Sequence, residues 1–325
     1  MAADFYHVSV LPEETVNGLL TDANGVYVDC TLGGAGHAAR VVSRLSPEGR
    51  LVGIDQDASA VAVAKERLRG ASPRIDIVHD NFRHLGHILR DLGITAINGA
   101  LFDLGVSSYQ IDTAERGFSY MKDAPLDMRM DSRATLSAYD VVNGWDEAEL
   151  LRIFREYGEE RWSKRIARFI AAARREKPVA TTGELADIIR RAVPAAVRKA
   201  GGNPSKRVFQ AIRIAVNDEL AILEEAFHTA VRYLKPGGRI AIITFHSLED
   251  RIAKNTLREM ARGCICPPEL PVCMCHHRPE IRLLRKAIRP KAAEIAANPR
   301  AKSAKLRIAE KLSTAGNAAG LEGGT

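Results

Sequence analysis

Four short apolar runs rich in β-branched residues punctuate the first hundred residues: Val26–Cys30, Leu51–Ile54, Ile75–Val78 and Ile97–Phe102. Stretches of helix-forming composition lie between them, among them Ala38–Leu45 and Ala58–Arg69. Runs of this length and composition read as strands buried on both faces. Strands alternating with helices close into a parallel sheet covered by helices on both sides. The sequence therefore predicts an α/β fold, with a ligand crevice at the carboxyl edge of its sheet.

From about Asp112 to Lys206 the alternation stops and only helical signals remain: Glu147–Tyr157, Arg161–Arg175 and a segment starting at Thr181, where Thr181 and Glu184 stand in capping-box spacing. Pro178, Pro194 and Gly201-Gly202-Asn203-Pro204 break these helices. Afterwards Val208, Ile212, Val216, Leu220, Leu223, Phe227, Val231 and Leu234 recur at steps of three and four and predict one long amphipathic helix, ended by Pro236-Gly237-Gly238. Arg239–Phe245 reads as a buried strand, Ser247 and Asp250 as the cap of a helix reaching about Met260, and Ile281–Ile288 and Leu306–Ala309 as the last strands. The expected organisation is a first α/β part over 1–111, an inserted all-helical domain over 112–206, a second α/β part over 207–312 and a disordered tail over 313–325.

The turn after the first strand, Thr31-Leu32-Gly33-Gly34-Ala35-Gly36-His37, is built to bring backbone close to a ligand, since glycines interpose no Cβ and the helix start offers free N–H donors. Asp55 follows Gly36 by nineteen residues at the tip of the second strand, where a carboxylate accepts both hydroxyls of a ribose. Together these point to an adenosine-containing cofactor. A diphosphate favours a third glycine where this chain has Ala39, and Asp29 at the end of strand one would repel it, yet suits the ammonium of a methionine moiety. The residues thus lean toward S-adenosylmethionine over a nicotinamide.

The chain carries a formal net charge of +7, unevenly spread. Residues 278–311 hold eleven Lys/Arg against three Glu, and Arg190–Arg207 holds six basic side chains and no acid. Arg161, Lys164, Arg165 and Arg168 recur at helical steps and give one basic face. Clustering of this kind fits a polyanion such as RNA, and equally a solvated charged face. No apolar stretch approaches ~18 residues, which excludes a membrane-spanning helix. The acidic N-terminal segment lacks the apolar core of a secretory signal, so the expected location is the cytoplasm.

Ten ordered blocks then carry a resemblance: HVSVLPEE at 7–14, DCTLGGAGH at 29–37, GIDQD at 53–57, FDLGVSS at 102–108, ERGFSY at 115–120, PLDMRMD at 125–131, YGEER at 157–161, FQAIRIAVNDEL at 209–220, LKPGGRIAIITFHSLEDR at 234–251 and NPRAKSAKLRIAE at 298–310. Spanning nearly the whole chain, they resemble the bacterial 16S ribosomal RNA (cytosine-N4) methyltransferases. The resemblance implies a Rossmann-like S-adenosylmethionine-dependent methyltransferase fold with an inserted all-helical domain. It also implies a cytosine in the decoding region of the small-subunit RNA as acceptor. Carried over residue by residue, the cofactor positions fall on Ala35, Gly36, His37, Asp55, Phe82, Asp103 and Gln110. The family often has Gly or Arg where this chain has Ala35, a change a backbone contact survives.

Asp103 is also the candidate catalytic acceptor, since the N4 amine, its lone pair delocalised into the ring, reacts better when an acceptor favours its pyramidal form. Many amino-methyltransferases carry Pro-Pro-aromatic after that acid; Leu104-Gly105-Val106 stands here instead, leaving Tyr109 and Phe118 as candidates to stack on the base. The expected partners are 16S ribosomal RNA within the small subunit and, in a homodimer, a second copy of the chain. An RNA-binding assembly factor with little catalysis is the alternative.

Four of the five cysteines crowd into residues 264–275 as C-x-C-x6-C-x-C. The C-x-C spacing is shorter than the usual zinc knuckle, and the family pattern assigns no metal there. Reduced thiols without a metal are the expectation.

Overall fold

A computed structural model describes residues 9–196, 203–267, 269–270, 272–275 and 277–313 of the chain. It contains two compact units, one of them built from residues up to Leu104 together with those from Ile222 onward. Its seven strands are β1 (Val26–Asp29), β2 (Arg50–Asp55), β3 (Arg74–His79), β4 (Ile97–Asp103), β5 (Leu234–Thr244), β6 (Ile281–Leu283) and β7 (Lys305–Lys311). They form one sheet in the order β3-β2-β1-β4-β5-β7-β6. β1 to β5 pair in parallel, β7 runs antiparallel to β5, and β6 antiparallel to β7. The strand order reverses between β1 and β4, and the crevice outside the carboxyl ends of such neighbours is where open α/β sheets bind ligands. The Rossmann-like expectation is met in the sheet itself.

The interior of this unit is apolar and closely packed. Tyr27, Val28, Val52, Ile54, Ala100, Phe102, Ile240 and Ile242 are fully buried, and Phe102 meets Phe227 edge-on with ring centroids 5.1 Å apart. Gly53 in β2 has a packing reason: a Cβ there would lie 2.7 Å from Leu32 Cδ1, so its absence lets Leu32 lie across the strand and brings the β1 loop down onto it.

The other unit runs from Gly105 to Ala221 and is helical, its longer helices being Glu147–Glu156, Ser163–Glu176, Thr182–Ala192 and Ser205–Asn217. Leu150, Ile153, Phe154, Ile166, Ile170, Leu185, Ile189, Val208 and Ile212 form its core, a face of each helix at three-and-four spacing. The Thr181–Glu184 capping box forms as the sequence implies. The two units divide at Gly105 and Ile222.

Three local expectations are corrected. The single helix over 208–234 is two, Ser205–Asn217 and Leu223–Tyr233, because Asp218 takes a left-handed conformation (φ 51). Asn217 helps to fix that break, its Oδ1 accepting from Met130 N at 2.7 Å and its Nδ2 donating to Met128 O at 2.8 Å. The helix Ser247–Met260 is capped by His246 and Glu249, not by Ser247 and Asp250; Asp250 instead accepts from Lys305 and from Arg307. Pro236-Gly237-Gly238 lies inside β5, where the pairing with β4 shifts register. Most of the expected tail, 314–325, and residues 197–202 of the basic run, with Arg198 and Lys199 among them, lie outside the described residues. Among the described residues no helix is long and apolar enough to cross a membrane.

Candidate functional site

Three carboxylates mark the strand ends at the reversal: Asp29 closes β1, Asp55 closes β2 and Asp103 closes β4. The loop after β1 is drawn over them. Gly33 and Ala35 both take left-handed backbone (φ 49 and 58), and the helix Gly36–Val42 starts immediately afterwards. Asp55 anchors this loop, its Oδ2 accepting from Gly33 N at 2.7 Å while its Oδ1 accepts from Asp57 N at 2.8 Å. Those bonds use two of the four or so lone-pair directions of a carboxylate and leave others for a ligand. Arg67 adds a second anchor through Nη1, which donates to Gly34 O at 2.9 Å. No motif signalled that contact, because it depends on how the following helix turns back on the loop.

Asp29 is buried and accepts from Thr31 N at 3.1 Å. Thr31 also accepts the Asp103 N–H on its Oγ1 at 2.6 Å, tying β4 to the loop. His37, buried in the first turn of its helix, places Nε2 3.4 Å from Asp103 Oδ2. This is ion-pair range rather than a formed hydrogen bond: neither ring nitrogen nor Asp103 Oδ1 has a hydrogen-bond partner. Buried polar atoms without partners are uncommon in native interiors and mark places where a ligand completes the bonding.

The titration of the cluster follows from its burial. Desolvation pushes Asp29 up to about 7, opposed by His37 and the Thr31 N–H and reinforced by Asp103 and Asp55. Desolvation likewise lifts Asp55 to about 6 against the N–H groups of Asp57 and Gly33. Burial disfavours the His37 cation, but the Asp103 carboxylate outweighs it and Asp29 adds to the effect, so the ring is held above its ordinary value. Acids that resist ionisation because they are dry and close together are stabilised by a cation placed among them.

The remaining sequence candidates divide. Ala35, Gly36, His37, Asp55 and Asp103 converge at these strand ends. Phe82, opening the short helix after β3, is half-buried and packs edge-on against Phe102 at 5.6 Å. Gln110 belongs to the helical unit, where its Oε1 accepts from Ser107 N in a reciprocal capping box. Phe118, a candidate for base stacking, is instead packed into the core of the helical unit, with the Arg116 guanidinium 5.8 Å from its ring.

The helical unit carries a groove of its own, about 1070 Å³, between the helices Ser163–Glu176 and Thr182–Ala192. Arg161, Lys164, Arg165, Arg168 and Arg191 line it beside Trp162 and Phe169. None of these cations meets a carboxylate at ion-pair distance among the described residues, whereas the neighbouring Lys177 and Arg190 are paired with Glu184 and Asp187. Arg165 lies 5.3 Å from the centroid of the Phe169 ring. The sequence showed the basic face; the aromatic pair was missed because Trp162 and Phe169 belong to no motif that signals them.

Against known proteins, residues 4–312 match the model of the MraW methylase family. The chain is 53% identical over 309 residues to the ribosomal RNA small subunit methyltransferase H of Brevibacillus brevis, covering 95% of this chain and 98% of that one. It is 52% identical over 310 residues to the protein of the same name from Clostridioides difficile, covering 95% and 100%. Among solved structures, an rRNA methylase from Streptococcus thermophilus aligns over 93% of this chain and 94% of its own with 12% identity and a TM-score of 0.42.

Proposed function

The chain belongs to the MraW methylase family, and we propose that it transfers the methyl group of S-adenosylmethionine to the exocyclic N4 of a cytosine in the decoding region of 16S ribosomal RNA. One observation carries the choice of donor: buried Asp29 and part-buried Asp55 and Asp103 stand at neighbouring strand ends beside atoms that lack partners. Such a cluster repels a diphosphate and attracts a cation. When bound, S-adenosylmethionine supplies an electrophilic methyl group on a positively charged sulfur. Asp55 would accept from the ribose, Asp29 would face the ammonium, the Gly33–Ala35 backbone and Gly36 would border the methionine portion, and Phe82 would border the adenine.

Asp103 has the chemistry for the acceptor. Its Oδ1 is buried and unpartnered, so it suits an N–H of the cytosine amine, and that hydrogen bond favours the pyramidal, nucleophilic form. His37 beside Oδ2 favours the ionised, hydrogen-bond-accepting form of the carboxylate. Holding amine and methyl in line is the larger contribution, worth up to ~7–11 kcal/mol in favourable models.

The α/β unit is the methyltransferase domain in this reading and the helical unit the substrate-recognition domain. The unpaired cations of the groove would bind phosphates, which position an RNA without reading its sequence, while Trp162 and Phe169 offer faces for unstacked bases. The expected setting is the cytoplasm, with the assembled small subunit as substrate and a homodimer as the working form. The test is incubation with labelled S-adenosylmethionine and small-subunit particles, followed by nucleoside mass spectrometry. Label on cytosine N4 is expected. Label on a base carbon overturns the acceptor assignment, and RNA binding without label favours the assembly factor.

A further inference from the structure

Between the helix Ser247–Met260 and β6 the chain runs from Ala261 to Glu280 with no regular element among the described residues. A connection of this length without secondary structure is uncommon in a compact domain and needs something to hold it. An apolar core does not: Ile265, Val272 and Met274 are 53%, 71% and 73% exposed. These residues alternate with Cys264, Cys266, Cys273 and Cys275, whose sulfurs converge, all lying within 4.8 Å of one another. The usual order is inverted, with apolar side chains in water and thiols gathered together.

We propose that Cys264, Cys266, Cys273 and Cys275 form a tetrahedral tetrathiolate site for a zinc ion. Cys264 Sγ lies 3.4 Å from Cys273 Sγ and 3.8 Å from Cys275 Sγ, and Cys273 and Cys275 are 3.6 Å apart. A disulfide requires ~2.05 Å. A tetrahedron of sulfurs at the ~2.3 Å zinc–thiolate distance has an edge of ~3.8 Å, which these separations approach. The backbone is arranged for thiolates as well. Ile265 N and His277 N donate to Cys275 Sγ at 3.5 and 3.4 Å, and Met274 N donates to Cys266 Sγ at 3.4 Å. Peptide N–H groups aimed at sulfur are the outer support a metal thiolate needs.

The short C-x-C spacing, which argued against a metal in the sequence, loses its force once two such arms face each other. Each contributes two sulfurs from one side, so the tetrahedron is completed across the loop rather than within a knuckle. Binding displaces the thiol protons to solvent and leaves a dianionic complex, with Arg262 and Arg278 nearby in sequence. The ion then acts as a cross-link, holding a segment that has no hydrophobic interior.

The test uses the full chain, reduced with a phosphine and stripped by chelator. Zinc is added back and quantified after dialysis, and Co(II) is titrated in parallel. The expected results are stoichiometric zinc that survives dialysis, the visible absorption of tetrahedral thiolate-bound Co(II), and at least tenfold slower alkylation of the four cysteines with zinc present. A Cys273→Ser/Cys275→Ser variant should lose all three. Failure of the wild-type chain to retain zinc, alkylation unaffected by zinc, or full retention by the variant would each overturn the site.

Discussion

The α/β unit gathers carboxylates at its strand ends, and the helical unit lines a groove with exposed cations. Asp29, Asp55 and Asp103 lie at strand ends, where burial lifts the first two to about 7 and about 6, whereas Arg161, Lys164, Arg165, Arg168 and Arg191 around the groove of the helical unit are exposed and, among the described residues, meet no carboxylate at ion-pair distance. The contrast separates two kinds of recognition. A buried acid cluster selects a small cation by geometry and is barely screened, because salt does not enter it. An exposed basic groove gathers a polyanion through many weak contacts, and counterion release makes that binding steep in salt.

The largest expected effect comes from removing the acid that both anchors the loop and would hold the ribose. Asp55→Ala should weaken S-adenosylmethionine binding about 100-fold, the ~3 kcal/mol of missing bonds to a buried carboxylate, while leaving RNA affinity unchanged. Calorimetry and filter binding on the same preparation measure the two; parallel losses would erase the distinction between the units. In the opposite sense, Arg165→Glu with Arg168→Glu should lower RNA affinity by tens-fold, and the slope of log affinity against log salt should become shallower by ~1.5, as expected when two phosphates are no longer neutralised. Donor binding should not change.

A smaller effect follows from pH. The folded values of Asp29 and Asp55, about 7 and about 6, lie above the ordinary carboxylate value of 3.8. The folded, ligand-free chain therefore binds protons more tightly than the unfolded one, and these groups cost stability as pH rises from about 4 to about 7. A cation among them favours the ionised forms, so donor affinity should rise about tenfold between pH 6 and pH 8, with proton release visible as a buffer-dependent heat. A flat profile would mean that the acids are already ionised or lie apart from the donor. Smallest of all, Ala35→Gly relieves a left-handed residue (φ 58) and should raise stability by up to ~1 kcal/mol in thermal melts, leaving affinity for both ligands intact.

The same contrast explains what the sequence disclosed. Strands buried on both faces are written as continuous apolar runs, so β1 to β4 and the acids that end them could be placed from composition alone. The break at Asp218 could not. Val216, Leu220 and Leu223 keep helical spacing across it, and the bonds from Asn217 to Met128 and Met130 join residues far apart in the chain. The cap at His246 was missed for a related reason: Ser247 and Asp250 match the usual residue types, but Asp250 is taken by Lys305 and Arg307 on β7. Nor does spacing distinguish the Gln110 that caps Ser107 from one reaching a ligand.

The most direct trial of the buried-acid account is side-by-side calorimetric titration of the chain with S-adenosylmethionine and with a nicotinamide dinucleotide at pH 8. Saturable binding of the sulfonium donor and no heat from the dinucleotide are predicted. Binding of the dinucleotide, or none of the sulfonium, would contradict it.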